Sequence, residues 1–238
     1  MANFIQNKSL GEIVREDFRT SRVFQKYGID FCCGGATTLE TACQKANIPV
    51  SVLESELEAL SCEKPEQDFK TLSPSELIRL ILKEHHEYVR EESIPLVELA
   101  NKVSRVHGLN HPELIEVASI VEEIMADMDQ HQMKEERILF PFIEAMEESI
   151  QNGTPIPQSC FGDVNNPIRA MENDHDHVGE MLFRLKEITN NYELSADACQ
   201  SYVMLFKRLE AFQNNTFRHV HLENNILFKK AIALQQSL

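Results

Sequence analysis

An all-α fold is predicted, an up-and-down four-helix bundle preceded by a small helical N-terminal domain. Three observations predict it. Apolar residues recur at helical spacing along most of the chain, and four long periodic stretches near its C-terminal end are joined by mostly short connections. One pattern also occurs twice. His131-Gln132-Met133-Lys134-Glu135 before Ile138-Leu139-Phe140 is matched by His219-Val220-His221-Leu222-Glu223 before Ile226-Leu227-Phe228, at a constant offset of 88 residues.

Composition narrows the field. The 238 residues suffice for one large domain, or for a medium and a small one. A net charge of −15 with no basic block argues against binding a nucleic-acid backbone or an anionic membrane surface. No apolar run is long enough to span a bilayer, and no basic start leads into an apolar segment, so the cytoplasm is the expected location. The six cysteines, Cys32, Cys33, Cys43, Cys62, Cys160 and Cys199, are too sparse for a disulfide framework and are read as free thiols.

Residues 1–60 read as the small helical domain. Leu10, Ile13, Val14, Phe18 and Val23 predict one helix that stops at Gly28. Asp30-Phe31-Cys32-Cys33-Gly34-Gly35 follows, and Thr37 with Glu40 makes a capping box for a second helix. Ser51 with Glu54 suggests the same for a third. Cys32 and Cys33 precede a Gly-Gly turn and a helix start, a setting that favours thiolates, so a thiol or iron-transfer role is set beside a plain tight turn. Residues 61–72 read as a linker, and residues 73–238 as the bundle.

Ser73-Pro74-Ser75-Glu76 starts the first long helix, which runs to Val106 past Pro95, with Gly108 as its stop. Asn110-His111-Pro112-Glu113 starts the second, which continues beyond Pro141. After a loop rich in Gly, Pro and Asn, Pro167 starts the third, ending near Asn190-Asn191, and Ser195 caps the fourth.

Both His-x-x-x-Glu pairs interrupt apolar stripes: Ile124, Met128, His131, Glu135, Ile138 or Leu139, Phe142 and Met146; and Leu209, Phe212, Thr216, His219, Glu223, Leu227 and Ala231. Four residues are about one turn, so each imidazole and its carboxylate share a face. A carboxylate pointing into a core needs a partner or a metal. On the third helix His175 lies on the stripe of Ile168, Met171, Val178, Leu182 and Leu185, 44 residues before His219. His86 stands 45 residues before His131, although His85 fits the first helix's stripe as well. The candidate ligands are therefore His86, His131, Glu135, His175, His219 and Glu223. Asp174 and Asp127 are candidates for supporting or transient contacts to a bound metal. His177 and His221 are expected to face solvent, and His107 and His111 carry no assignment.

These residues resemble a known family. Tyr27 to Gly35, His131 to Pro141, Glu172-Asn173-Asp174-His175-Asp176 and His219 to Phe228 match the iron–sulfur cluster repair di-iron proteins, the repair of iron centres family, whose bundle is hemerythrin-like. The chain departs from the pattern where Lys229 takes the place that Pro141 holds in the first copy, and in a long loop before the third helix. The resemblance places the early ligand on His86. It implies two non-haem iron ions per chain, bridged by Glu135, Glu223 and a solvent-derived oxygen, each taking two histidines. The implied function is repair of clusters damaged by nitrosative or oxidative stress, with damaged iron–sulfur proteins as partners. Reduction of nitric oxide or peroxide, and oxygen or iron sensing, are the alternatives. The oligomer is left open, with a homodimer as the candidate.

Overall fold

The computed structural model describes residues 8–31, 34–60, 69–155 and 158–237. Cys32, Cys33 and Cys62 lie outside them. Helices account for the regular structure of the described residues, apart from one isolated bridge between Ser9 and Thr38. No described helix is long and apolar enough to cross a membrane. Two compact units are distinguished, Met1–Leu77 with Val220–Leu238, and Ile78–His219.

In the first unit, the single helix expected up to Gly28 is two, α1 (Leu10–Glu16) and α2 (Thr20–Lys26). Asp17 breaks it. Its carboxylate accepts from the backbone N–H of Arg19 at 3.1 Å and from Arg19 Nε at 2.8 Å, while its carbonyl accepts from the Thr20 hydroxyl at 2.7 Å. These local bonds compete with helix continuation, and apolar periodicity does not register them. Ser9 and Glu12 form a capping box on α1, and Gly28 stops α2 with φ +66°. α3 (Leu39–Ala46) is capped by Thr38, one residue later than expected, and ends at Asn47 in the left-handed region. α4 (Val50–Leu60) begins before Ser51, which therefore sits inside the helix instead of capping it. A 3-10 turn, Phe69–Thr71, lies in the stretch expected as linker.

The long helices follow, and three of the four contain a π turn. The first is α5 (Pro74–Ile81), the π turn Leu82–His86 and α6 (Glu87–His107). Its capping box is formed: Ser73 N–H donates to Glu76 Oε2 at 2.7 Å, and Glu76 N–H to Ser73 Oγ at 3.3 Å. The second is α7 (Glu113–Lys134), the π turn Glu135–Leu139 and α8 (Phe140–Asn152). The third, α9 (Asn165–Ile188), ends before Asn190, Asn191 and Tyr192, all with positive φ. The fourth is α10 (Gln200–Leu222), the π turn Glu223–Leu227 and α11 (Phe228–Gln236). α10 starts five residues after Ser195, whose hydroxyl instead donates to Asp197 Oδ1 at 2.6 Å.

Side-chain pairs fix the packing of the second unit. Asn101 with Glu122, and Arg90 with Glu136, set α6 antiparallel to the second helix. Arg184 with Glu116, and Lys134 with Asp174, do the same for α7 and α9. Arg208 with Glu92, and Asn215 with His85, pair α10 with the first helix. Between them lies a core that includes Leu96, Val117, Val121, Ile124, Leu182, Leu185, Leu205 and Phe212. Ile168, Met171, Val178, Leu182 and Leu185 are all buried, as the stripe of the third helix predicts.

Candidate metal centre

The three π turns occur where the expected ligands occur. His85 and His86 close the first, Glu135 opens the second, and Glu223 opens the third. In each, the N–H after the turn reaches five residues back: Glu87 to Leu82, Phe140 to Glu135, Phe228 to Glu223. One extra residue is thereby inserted in the helix, a device common at functional sites. It also moves the apolar stripe. Beyond Glu135 the buried apolar residues are Leu139, Phe140, Ile143 and Met146, so Ile138 and Phe142 drop out of the expected walk. A wider turn rotates less per residue, which lets the neighbours His85 and His86 both be buried, at 1% and 0% exposure.

Four imidazoles converge through their Nε2 atoms in two pairs. His86 Nε2 lies 3.2 Å from His219 Nε2, and His131 Nε2 lies 3.0 Å from His175 Nε2. Glu135 stands between the pairs, its Oε2 3.3 Å from His86 Nε2 and 3.2 Å from His131 Nε2. Glu223 follows His219 by one turn on an unbroken helix, so its position relative to that imidazole is set by the backbone. Two groups of donor atoms, each within 4.8 Å, result: His86, Glu135, His219 and Glu223; and His131, Glu135, His175 and Glu223. His85 is in neither group. It stacks on His219 at 5.4 Å between ring centroids, with Nδ1 3.1 Å from Asn215 Oδ1.

Carboxylates orient two of the rings from behind. Glu136 Oε1 is 2.7 Å from His86 Nδ1 and accepts from Arg90 at 2.7 Å. Burial works against the charge on Glu136, but the bonds from His86 and Arg90 outweigh it and hold the carboxyl below its ordinary value. Asp174 Oδ2 lies 3.4 Å from His131 Nδ1 and 2.8 Å from Lys134 Nζ. Those contacts, that with His131 first, hold Asp174 down at about 2. A carboxylate facing Nδ1 favours the tautomer with its proton there, which turns an Nε2 lone pair inward.

The donors fit a pair of metal ions. Bonds of about 2.1 Å place neighbouring ligands of an octahedral ion about 3.0 Å apart. The four spacings run from 3.0 to 3.3 Å. Imidazole with carboxylate suits iron, and zinc and manganese compete for the same set.

Comparison with known proteins agrees with this geometry. Residues 78–231 match the family model described as the hemerythrin HHE cation binding domain, and residues 6–61 match one described as a domain of unknown function. The chain is 35% identical over 233 residues to the "Probable iron-sulfur cluster repair protein" of Haemophilus influenzae, covering 97% of this chain and 98% of that one. It is 35% and 34% identical to the proteins named iron-sulfur cluster repair protein YtfE of Musicola paradisiaca and Yersinia pestis, each time covering 95% of this chain and 97% of the relative.

The chain belongs to the iron–sulfur cluster repair family. In this family member, six of the residues singled out by spacing, His86, His131, Glu135, His175, His219 and Glu223, are brought together. His177 is exposed, as expected. His221 is not. It is 1% exposed, packed against the rings of Phe18 and Phe31 at 5.5 and 6.3 Å, with Nδ1 3.1 Å from Asn225 Nδ2. Burial holds its imidazole down at about 3, hence neutral. The expectation failed because helix periodicity places a residue on a face without saying what covers that face. Sequence reasoning also missed Glu136. In a regular helix it lies about 100° from Glu135 and would be read as solvated.

Proposed function

We propose that the chain is a di-iron protein that restores iron–sulfur clusters damaged by nitrosative or oxidative stress, in the cytoplasm, by donating iron from a labile pair. His86 and His219 would hold one ion, His131 and His175 the other, with Glu135 and Glu223 shared between them. The observation that carries the reading is the place of Glu135, within 3.3 Å of one imidazole pair and 3.2 Å of the other. The near full-length likeness to proteins named for cluster repair supplies the substrate class, damaged iron–sulfur proteins.

The chain's own residues keep the site loose. Two imidazoles and two shared carboxylates give each ion four protein donors, fewer than the roughly six positions that iron prefers. Structural metals are by contrast fully enclosed by protein ligands. Glu136 and Asp174 keep the His86 and His131 rings in the ligating orientation, and the fully buried Glu135 and Glu223 bring their carboxyl oxygens to the centre. A bound iron pair would supply exchangeable, redox-active metal. Cys32 and Cys33 are assigned a thiol or iron-transfer role in the same reading.

Iron-loaded protein added to an enzyme whose cluster nitric oxide has destroyed is expected to restore its activity, whereas Glu135→Ala protein is not. No recovery while the chain keeps its iron overturns donation. Full repair by a variant with both Cys32 and Cys33 replaced by Ala removes the thiols from the mechanism.

A further inference from the structure

Thr216 is 1% exposed, and its hydroxyl has no hydrogen-bond partner among the described residues. A helical threonine commonly returns its hydroxyl to the carbonyl three or four residues back, as Thr189 does to Leu185 at 2.7 Å at the end of α9. Thr216 stands well inside α10, with the Phe212 carbonyl in the same relation, and does not use it. A hydroxyl taken out of water without a partner is destabilising, and valine would fill nearly the same volume without that penalty. The hydroxyl therefore calls for a partner that is not part of the protein.

Its direction is set by the helix. Leu205 and Leu209, both buried, lie within about 20° of Thr216 around the axis of α10, so Thr216 occupies the middle of the inner face. Helical side chains lean toward the N-terminus, which lays the His219 ring over the turn that carries Thr216. The neighbouring Asn215 ties that same turn to the π turn of His86: its Oδ1 is 3.1 Å from His85 Nδ1, and its Nδ2 donates to the Glu84 carbonyl at 3.3 Å.

The bundle repeats this position four times. Val89, Met128, Val178 and Thr216 each stand three residues from a histidine, His86, His131, His175 and His219 respectively, and all four are buried. The first and third helices run antiparallel to the second and fourth. Val89 and Val178 follow their histidines whereas Met128 and Thr216 precede theirs, so the four lie on one side of the imidazoles. Glu135 follows His131 and stands on the other side. The centre is thus bounded by carboxylate on one side, and on the opposite side by three apolar side chains and a single hydroxyl. An apolar lining with one placed polar group is the usual construction of a small-ligand pocket.

We propose that the Thr216 hydroxyl donates a hydrogen bond to a small anion held at an open position of the iron pair beside His86 and His219, and so determines which small ligands the centre retains. The inference rests on the iron-pair reading above, in which four protein donors leave each ion short of its preferred number. Val89, Met128 and Val178 have no proton to offer such a ligand. Thr216 acts on the ligand and leaves all six protein donors in place.

Azide is the probe, titrated into the oxidised, iron-loaded full-length chain and followed by its charge-transfer absorption. Thr216→Val is expected to weaken azide binding about tenfold, the scale of one hydrogen bond to a charged group. Thr216→Ser keeps the hydroxyl and loses the methyl, and is expected to bind within about threefold of wild type. Equal affinity of wild type and Thr216→Val overturns the assignment. An equal loss in both variants overturns it too, because methyl packing would then be the cause. Without metal, Thr216→Val is expected to melt at or above wild type, since it loses no bond within the protein; a lower melting temperature counts against the unpartnered hydroxyl and overturns the proposal. Iron analysis of the same samples separates the two readings. A wild-type chain that takes up no iron removes the iron pair and this inference with it, whereas iron-loaded wild type that binds no azide overturns the inference alone.

Discussion

Glu135 and Glu136 are neighbours with opposite surroundings. The first is fully buried between two imidazole pairs, and the second is part-exposed behind one ring. Replacing Glu135 with Ala removes a donor shared by both groups and leaves the imidazoles facing one another. Iron content measured on the purified variant should fall well below two per chain; a wild-type value would contradict the shared role. Glu136→Ala leaves all six donors in place and removes the group that holds His86 Nδ1. The expected result is a loss of iron affinity of about ten- to a hundredfold, read by chelator competition. Arg90 would then lose its partner as well, so Arg90→Ala serves as the control for the charge.

Element geometry explains where the apolar pattern slips and where the chemistry gathers. A π turn lies at His86, at Glu135 and at Glu223, and the stripe is displaced after Glu135 because one residue has been inserted there. The N-terminus of α10 shows a different effect. Its start after Ser195 leaves Cys199 at the mouth of the helix, where the thiol takes a hydrogen bond from the Tyr202 N–H and lies 3.2 Å from His107 Nε2. These contacts, the helix N–H first, lower the thiol from 9.0 to about 7. A lowered thiol pKa means more thiolate at neutral pH. Iodoacetamide labelling of the Cys199 peptide, followed by mass spectrometry, should therefore reach half its maximal rate near pH 7, losing rate as pH falls below that. His107→Ala should move the midpoint upward without restoring an ordinary thiol, since the backbone donor remains. A wild-type midpoint near 9 would refute the account.

At the scale of the molecule, the first unit combines N-terminal helices with the C-terminal Val220–Leu238 segment, and Gly11 shows how closely they meet. A Cβ at Gly11 would lie 2.5 Å from Asn225 Oδ1 and 3.1 Å from the Gly35 carbonyl. Gly11→Ala should cost about 1–3 kcal/mol of stability, measured by denaturant titration, because Asn225 is itself buried beside His221. If the buried acids and imidazoles hold metal, stability depends on it. Metal that binds only the folded chain stabilises it by mass action. Chelation should lower the melting temperature by several degrees, and Glu135→Ala should shrink that difference.

The amino-acid sequence alone determined the helical class, the four long elements and five inward-facing candidate donors, with His85 and His86 both open for the sixth place. Period and offset express which side of a helix a residue occupies, and a buried carboxylate repeated at one offset demands a common partner. Tertiary structure placed His86 and not His85 among the grouped donor atoms, buried His221, broke the first helix at Asp17 and set Glu136 behind the His86 ring. Each of those outcomes depends on a neighbour distant in the chain, or on a backbone hydrogen bond that replaces the regular helical one. Apolar periodicity carries neither.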